Sequence, residues 1–362
     1  MALPGELTFV IDLLALYGVY LIVSLSLNLE FGFAGIPNFG KVLPVAAGAF
    51  AVGFLPGRLA AWMIGLGDVD YVKDNSPIVA RVNEVLQNSI PMALFLLVVT
   101  LVAAAALGAL LGFAASYPTR RLREDYLAMT LLAMGEALRV VGYNYAPLVG
   151  GTLGVQVPDP FAYVTGPLRF TVATLAILAL SIIVFFYLES TVRSPLGRTL
   201  RALRDNEVAA SSLGKDIVGL RLKVLVVGSA VAAIGGAIYA FYTGGVIAIT
   251  YNRVDWTFLP WIIVMLGGAA NNRGVSLGAL VFVTVRKFII FYKGGLAPYL
   301  PFDVVWLDML LMGTVLILIL LYKPEGIIPE QPIHTIGLAR IEEVAEKRQR
   351  LKLDHGENSK QT

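Results

Sequence analysis

The chain has 362 residues, of which 57% are hydrophobic and only 15% charged, and its mean hydropathy is +0.76. That balance exceeds the apolar fraction of water-soluble domains and belongs in a lipid bilayer. Cysteine is absent, which excludes disulfides and thiolate-held metals, and the two histidines, His334 and His355, lie in the polar tail, which excludes His-based catalysis within the membrane.

No basic region precedes the first apolar segment, so a retained first span is expected rather than a cleaved leader. Apolar runs predict nine spans, with eight or ten as alternatives, over about 8–29, 38–57, 89–116, 126–146, 168–190, 221–243, 256–270, 275–292 and 303–322. The run from Ser89 to Ser116 carries no Asp, Glu, Lys or Arg and is longer than the ~20 residues that cross a hydrocarbon core. These runs are continuous and lack the alternation of a membrane barrel, so strands are not expected. The fold class is an all-α, polytopic helical membrane bundle, with a transmembrane domain over 1–322 and a cytoplasmic tail over 323–362.

Between the first two spans, GIPNFGKV (35–42) has the frame of a phosphate-binding loop, but Val42 replaces the hydroxyl that would hold magnesium, Pro37 interrupts it and no strand precedes it. It reads instead as a broken-helix approach to the second span, with Gly35 and Gly40 allowing the turn and Lys41 near the cytoplasmic face. A second Gly- and Asn-rich break covers 267–278, against 30–44 for the first. Interrupted helices expose backbone groups that can bind zwitterions, which places Asn28, Asn38 and, from the fourth span, Thr130 near a solute path.

The fourth span also holds Glu136 and Arg139, three residues apart on one helical face; they read as a structural ion pair or as part of the path. The sixth span carries Gly228, Ala232, Gly236, Ala240 and Gly244 at every fourth position, for close packing within the chain or for a moving or dimeric seam. Arg286 and Lys287 in the eighth span, and Asp308 in the last, are expected to snorkel towards the headgroups.

Lysine and arginine concentrate in the segment between the fifth and sixth spans (Arg193, Arg198, Arg201, Arg204, Lys215, Arg221, Lys223), before the fourth span (Arg120, Arg121, Arg123) and in the tail, which makes these cytoplasmic. Loops 58–88 and 148–167 then lie outside, as does the N-terminus. In the long connector, Ser194 and Pro195 start a helix and Gly214 stops it, giving one helix of about five turns over 194–214. Leu200, Leu203, Val208 or Ala209, and Leu213 form a narrow apolar stripe flanked by Arg201, Arg204, Asp205 and Glu207. Such a helix docks on a partner, or rests on anionic lipid through its arginines.

The stretch GRTLRALRDNEVAASSLGKD resembles the cytoplasmic coupling segment of ABC-transporter permeases, in particular the branched-chain amino-acid permeases of the LivM type. Further segments agree in order: SLNLEFGFAGIPNFG resembles the family's SLNLxxGYAGxxSLG, LREDYLAMTLLAMGEALRVV its LRGxYLAxxTLAxxEIxR, and GGTLGV its GGxxGL. MLGGAANNRGVSLGALV resembles LGGxGxxxGPxLGA, and LYKPEGIIP the closing FRPxGLxG. The chain departs from the pattern at Asn38 and Lys41, and in the length of loop 58–88.

The resemblance implies an ABC importer permease forming half of a pore in the cell membrane. Its implied partners are a second related permease, two cytoplasmic ATPase subunits, an extracytoplasmic solute-binding protein and membrane lipid, with no nucleic acid. The chain itself would have no catalytic residue, metal or cofactor; ATP and magnesium would bind the ATPases. Coupling would run through Leu200, Arg201, Leu203, Arg204, Glu207, Ala209, Ala210, Leu213 and Gly214, and the path through Asn28, Asn38, Thr130 and Glu136. The implied solute is leucine, isoleucine or valine, with another amino acid, an amide or urea as alternatives. An ion-coupled secondary transporter competes as a class but lacks a series of intramembrane acids, and a membrane-embedded enzyme would have only the Glu136 region to work with.

Overall fold

A computed structural model describes residues 5–67, 69–122, 124–292 and 304–330. The first helix, α1 (Gly5–Leu27), runs on through a π-helical turn, Asn28–Phe33, and then breaks. Gly35, at φ 70°, supplies the left-handed residue that lets the chain turn, and Pro37 holds it out of helix until α2 (Val42–Met63) begins. The second span therefore starts about a turn later than the apolar pattern alone predicts.

The helices that follow are α3 (Asn75–Asn88), α4 (Ile90–Ser116), α5 (Glu124–Asn144), α6 (Ala146–Val149), α7 (Leu168–Arg193), α8 (Pro195–Asp205), α9 (Glu207–Ser212) and α10 (Ile217–Thr243). A π-helical turn, Val254–Phe258, leads into α11 (Leu259–Gly267), and α12 (Asn272–Phe291) and α13 (Val304–Tyr322) complete the order. Among the described residues, six helices are long and apolar enough to cross a membrane: α1 with its π turn, α2, α4, α7, α10 and α12. The protein is a polytopic, all-α membrane protein. Within their apolar windows α1, α2 and α10 are 72%, 78% and 72% buried, against 22% for α4 and 33% for α7 and α12, so α1, α2 and α10 form the centre and the other three present faces outward.

The small-residue stripe of α10 explains that centre. Gly228, Ala232, Gly236 and Ala240 are all buried, and α10 packs on α2, α4 and α1. A Cβ at Gly236 would stand 2.0 Å from the Val45 carbonyl oxygen, so the α2 and α10 backbones meet with no room for a side chain. The stripe is packing within the chain.

Two short strands depart from the helical expectation: β1 (Val155–Gln156) pairs antiparallel with β2 (Gly245–Val246). Loop 58–88 folds onto them. Its α3 buries Ile78, Val79, Val82 and Leu86 on one face, and the Asn75 side chain both accepts from the Gln156 N–H (2.7 Å) and donates to the Gln156 carbonyl (3.2 Å). The Tyr71 hydroxyl donates to the same carbonyl at 2.8 Å, and burial pushes its phenol up to about 12.

The described residues up to Pro329 fall in the first of two units. The closing segment belongs to the first: Ile327 N–H donates to Leu266 O (2.8 Å) and Ile328 N–H to Gly267 O (3.0 Å), so the membrane unit continues past 322. The tail beyond 330, with His334 and His355, and the side chain of Asp308 lie outside the described residues.

Candidate functional site

The two helix breaks meet. Asn28, at the end of α1, is fully buried; its Oδ1 accepts from the Ala270 N–H (2.9 Å) and its Nδ2 donates to Asn272 Oδ1 (2.9 Å). Asn272 passes the chain of bonds on to Glu189 Oε2 at 2.9 Å. Ala270 needs that support, because its φ of 61° is a conformation that a residue with a Cβ seldom adopts. Asn271 in turn caps α12, accepting from the N–H groups of Arg273 and Gly274, and donates to the Pro329 carbonyl (2.9 Å). Free backbone groups at each break are thus satisfied by side chains of distant segments, as a dry interior requires.

A charged network sits inside the first break. Lys41 Nζ donates to Glu30 Oε1 at 2.8 Å with both side chains fully buried, and Asn38 Nδ2 donates to Glu30 Oε2 at 2.8 Å. Lys41 was expected at the cytoplasmic face; it is instead an interior residue. Gly228 of α10 makes the space, since a Cβ there would stand 2.1 Å from Glu30 Oε1. Ionisable groups so placed are stable only as a hydrogen-bonded pair, and the removal of either leaves an uncompensated charge. Glu30 is a residue that the apolar pattern did not single out; its signal is an acid just past the first apolar run, eleven positions before the only lysine of the break.

The connector differs from the single helix expected over 194–214. Ser194 caps α8, but Asn206 leaves the helix at φ −159° and accepts from Ala209 N–H, starting α9 as a separate short helix. The apolar stripe is divided accordingly. Leu200 and Leu203 are buried inside the chain, where α8 packs on α7 and on the Asn28–Phe33 turn. Arg204 Nη1 donates to the Gly32 carbonyl at 2.6 Å, and the Arg201 guanidinium lies 5.1 Å from the Phe33 ring centre. Val208 and Leu213 face outward, 76% and 80% exposed, with Ala209 and Gly214 also exposed and Ala210 buried. Glu207 pairs with Arg221 at 2.9 Å. The leucines of α8 expected to dock outward are therefore turned inward, and Val208 of α9 and Leu213 after it present large apolar side chains outward.

Thr130 and Glu136 stand apart from the breaks. Thr130 donates to the Tyr126 carbonyl (2.8 Å), and Glu136 accepts from Arg139 Nε (2.9 Å); neither bonds Asn28 or Asn38 among the described residues. Their helix does touch the first break, at Leu131, whose carbonyl would lie 2.4 Å from a Cβ on Gly40. Arg286 and Lys287 do not extend alone to the headgroups: Arg286 pairs with Asp255 (3.0 Å) and Lys287 with Asp12.

Residues 9–320 match the family described as branched-chain amino acid transport system / permease component. The "Probable branched-chain amino acid transport permease protein LivM" of Methanocaldococcus jannaschii is 41% identical over 90% of this chain and 96% of its own length. The "High-affinity branched-chain amino acid transport system permease protein LivM" of Salmonella typhimurium is 28% identical and that of Escherichia coli 27%, each over 88% of this chain and 70% of its own. No solved structure gives a significant match. With a family match over most of its length and a relative at 41% identity, the chain belongs to the family of permease components of branched-chain amino acid transport systems.

Proposed function

We propose that this chain is the LivM-type subunit of an ATP-driven importer of leucine, isoleucine and valine, forming half of its translocation pore. It sits in the cell membrane with nine spans, the six clear ones together with α5, α11 and α13, the N-terminus outside and the C-terminus in the cytoplasm. A second related permease completes the pore, two ABC ATPases bind from the cytoplasm, and an extracytoplasmic binding protein delivers the amino acid. The observation that carries the reading is the 41% identity to a branched-chain permease across 96% of that relative's length.

Coupling then follows from the connector. Its exposed portion, Glu207, Val208, Ala209, Leu213 and Gly214, touches the ATPase. Its buried portion, Leu200, Arg201, Leu203, Arg204 and Ala210, holds the connector to the bundle. Because Arg204 grips the Gly32 carbonyl, displacement of α9 by ATPase closure reaches the first break, and through Asn28 the second. Rearrangement of the two joined breaks exchanges outward for inward access along a path that passes Asn28 and Asn38, with Thr130 and Glu136 on the neighbouring α5.

The test is copurification of the tagged chain from its native membrane. Two ATPases should accompany the wild type and be lost from Leu213→Asp, while Glu207→Arg should leave ATP hydrolysis running without transport. Recovery of the chain alone, with transport intact, would overturn the reading in favour of a secondary transporter.

A further inference from the structure

A cavity of about 190 Å³ lies between α1, α10, α12 and the Val254–Phe258 turn. It is reached by Leu16 and Tyr20 of α1 and by Val283 to Ile290 of α12, the parts of those helices away from Asn28, Asn272 and the α8 contact. Its volume equals about six waters at ~30 Å³ each, the scale of one small amino acid. Trp256 is stacked between Tyr20 (5.6 Å) and Tyr251 (5.9 Å) and met edge-on by Tyr239 (4.9 Å), which fixes an aromatic wall. Leu16, Val283 and Ile290 add an aliphatic lining.

Two opposite charges open into this space. Arg286 donates through Nη2 to Asp255 Oδ1 (3.0 Å) and through Nη1 to the Tyr20 hydroxyl (2.8 Å). Asp255 Oδ2 accepts from Asn252 Nδ2 at 2.8 Å, so the carboxylate is oriented from behind. Their side chains are 24% and 31% exposed, unlike the fully buried Glu30 and Lys41, so a solute can touch them. The remaining cation at the cavity, Lys287, is held by Asp12. A carboxylate and a guanidinium about 3 Å apart are the complement of a zwitterion, whose own carboxylate and ammonium flank one carbon. Insertion of the solute exchanges one ion pair for two and leaves no charge uncompensated.

We propose that this cavity binds one free α-amino acid with a small aliphatic side chain, Arg286 taking its carboxylate, Asp255 its ammonium and Leu16, Val283 and Ile290 its side chain. The importer reading supplies the reason such a solute arrives there, and the two are separable by experiment. Equilibrium binding of radiolabelled L-leucine is measured on the purified transporter in nanodiscs without its binding protein. Isopentylamine and 4-methylpentanoate, each with one of the two charges, should compete at least tenfold more weakly than leucine. The neutral pair Asp255→Asn with Arg286→Gln should assemble normally yet bind at least tenfold more weakly, whereas a merely structural ion pair would leave binding intact. Should that double variant not fold, Leu16→Trp, which fills the cavity and keeps the ion pair, should abolish binding. Wild-type affinity in either folded variant, or equal competition by the one-charge analogues, overturns the site. Leucine binding without ATP-driven uptake would leave the site standing and remove the importer; uptake without binding to this cavity would do the reverse.

Discussion

The buried Glu30–Lys41 pair gives the sharpest energetic expectation. At 2.8 Å and an effective dielectric of 20, the attraction between its charges is about 6 kcal/mol. Much of that is offset by lost hydration, so what a variant reads is the cost of leaving one partner alone. Lys41→Met leaves the Glu30 carboxylate fully buried with Asn38 as its one remaining side-chain donor among the described residues, and the expected loss is about 3–5 kcal/mol of unfolding free energy. Glu30→Gln together with Lys41→Met removes both charges with little change of shape, and its stability should return to within about 1 kcal/mol of wild type. The assay is reversible denaturant titration in mixed micelles of wild type, both single variants and the double, closed as a double-mutant cycle. Additive losses, with the double variant worse than either single one, would refute the reasoning and mean that the two groups do not compensate each other.

Other expectations follow from the same geometry. Asn28→Leu removes the acceptor for Ala270 and the donor to Asn272; it should cost about 2–4 kcal/mol in the same titration and speed exchange of the Ala270 amide hydrogen. Gly236→Val forces the α2 and α10 backbones apart and should destroy monodisperse behaviour on size-exclusion chromatography, while Gly214→Ala, which meets open space, should cost only the strain of its φ of 75°. Leu203→Asp buries a charge inside the chain and should lower stability, whereas Leu213→Asp should leave the melting profile unchanged and release the ATPase. The raised phenol of Tyr71 favours the protonated, folded state, so its contribution is full below about pH 10 and is lost as pH rises to about 12; Tyr71→Phe should lack that fall in stability between the two pH values.

Much of this was legible in the sequence. Long apolar runs, only some of them uncharged throughout, located the clear spans, and clustered Gly, Pro and Asn marked both helix breaks. What local pattern could not convey was their junction: Asn28 and Ala270 are 242 positions apart, and nothing in either segment names its partner. Glu30 was concealed because an acid at the edge of an apolar run does not alter the span, and its meaning emerges only when Lys41 and Gly228 are brought beside it. In the connector, the stripe of Leu200, Leu203 and Leu213 was read as continuous because Asn206 is tolerated inside a helix. The structure uses it as a cap, which rotates α9 away from α8 and leaves Leu213 outside while Leu200 goes in. Arg286 and Lys287 read as snorkelling cations because their acids, Asp255 and Asp12, come from other elements. The two-residue strands were too short to leave any alternation.

On the function proposed above, this chain moves branched-chain amino acids only as part of an ATP-driven complex. The most direct measurement is L-leucine uptake into proteoliposomes containing the chain, the second permease and both ATPases, with the binding protein outside and ATP sealed within. Uptake should require ATP, stop when this chain is omitted, and be competed by valine and isoleucine. Leucine uptake by this chain alone, driven by an ion gradient and indifferent to ATP, would contradict it.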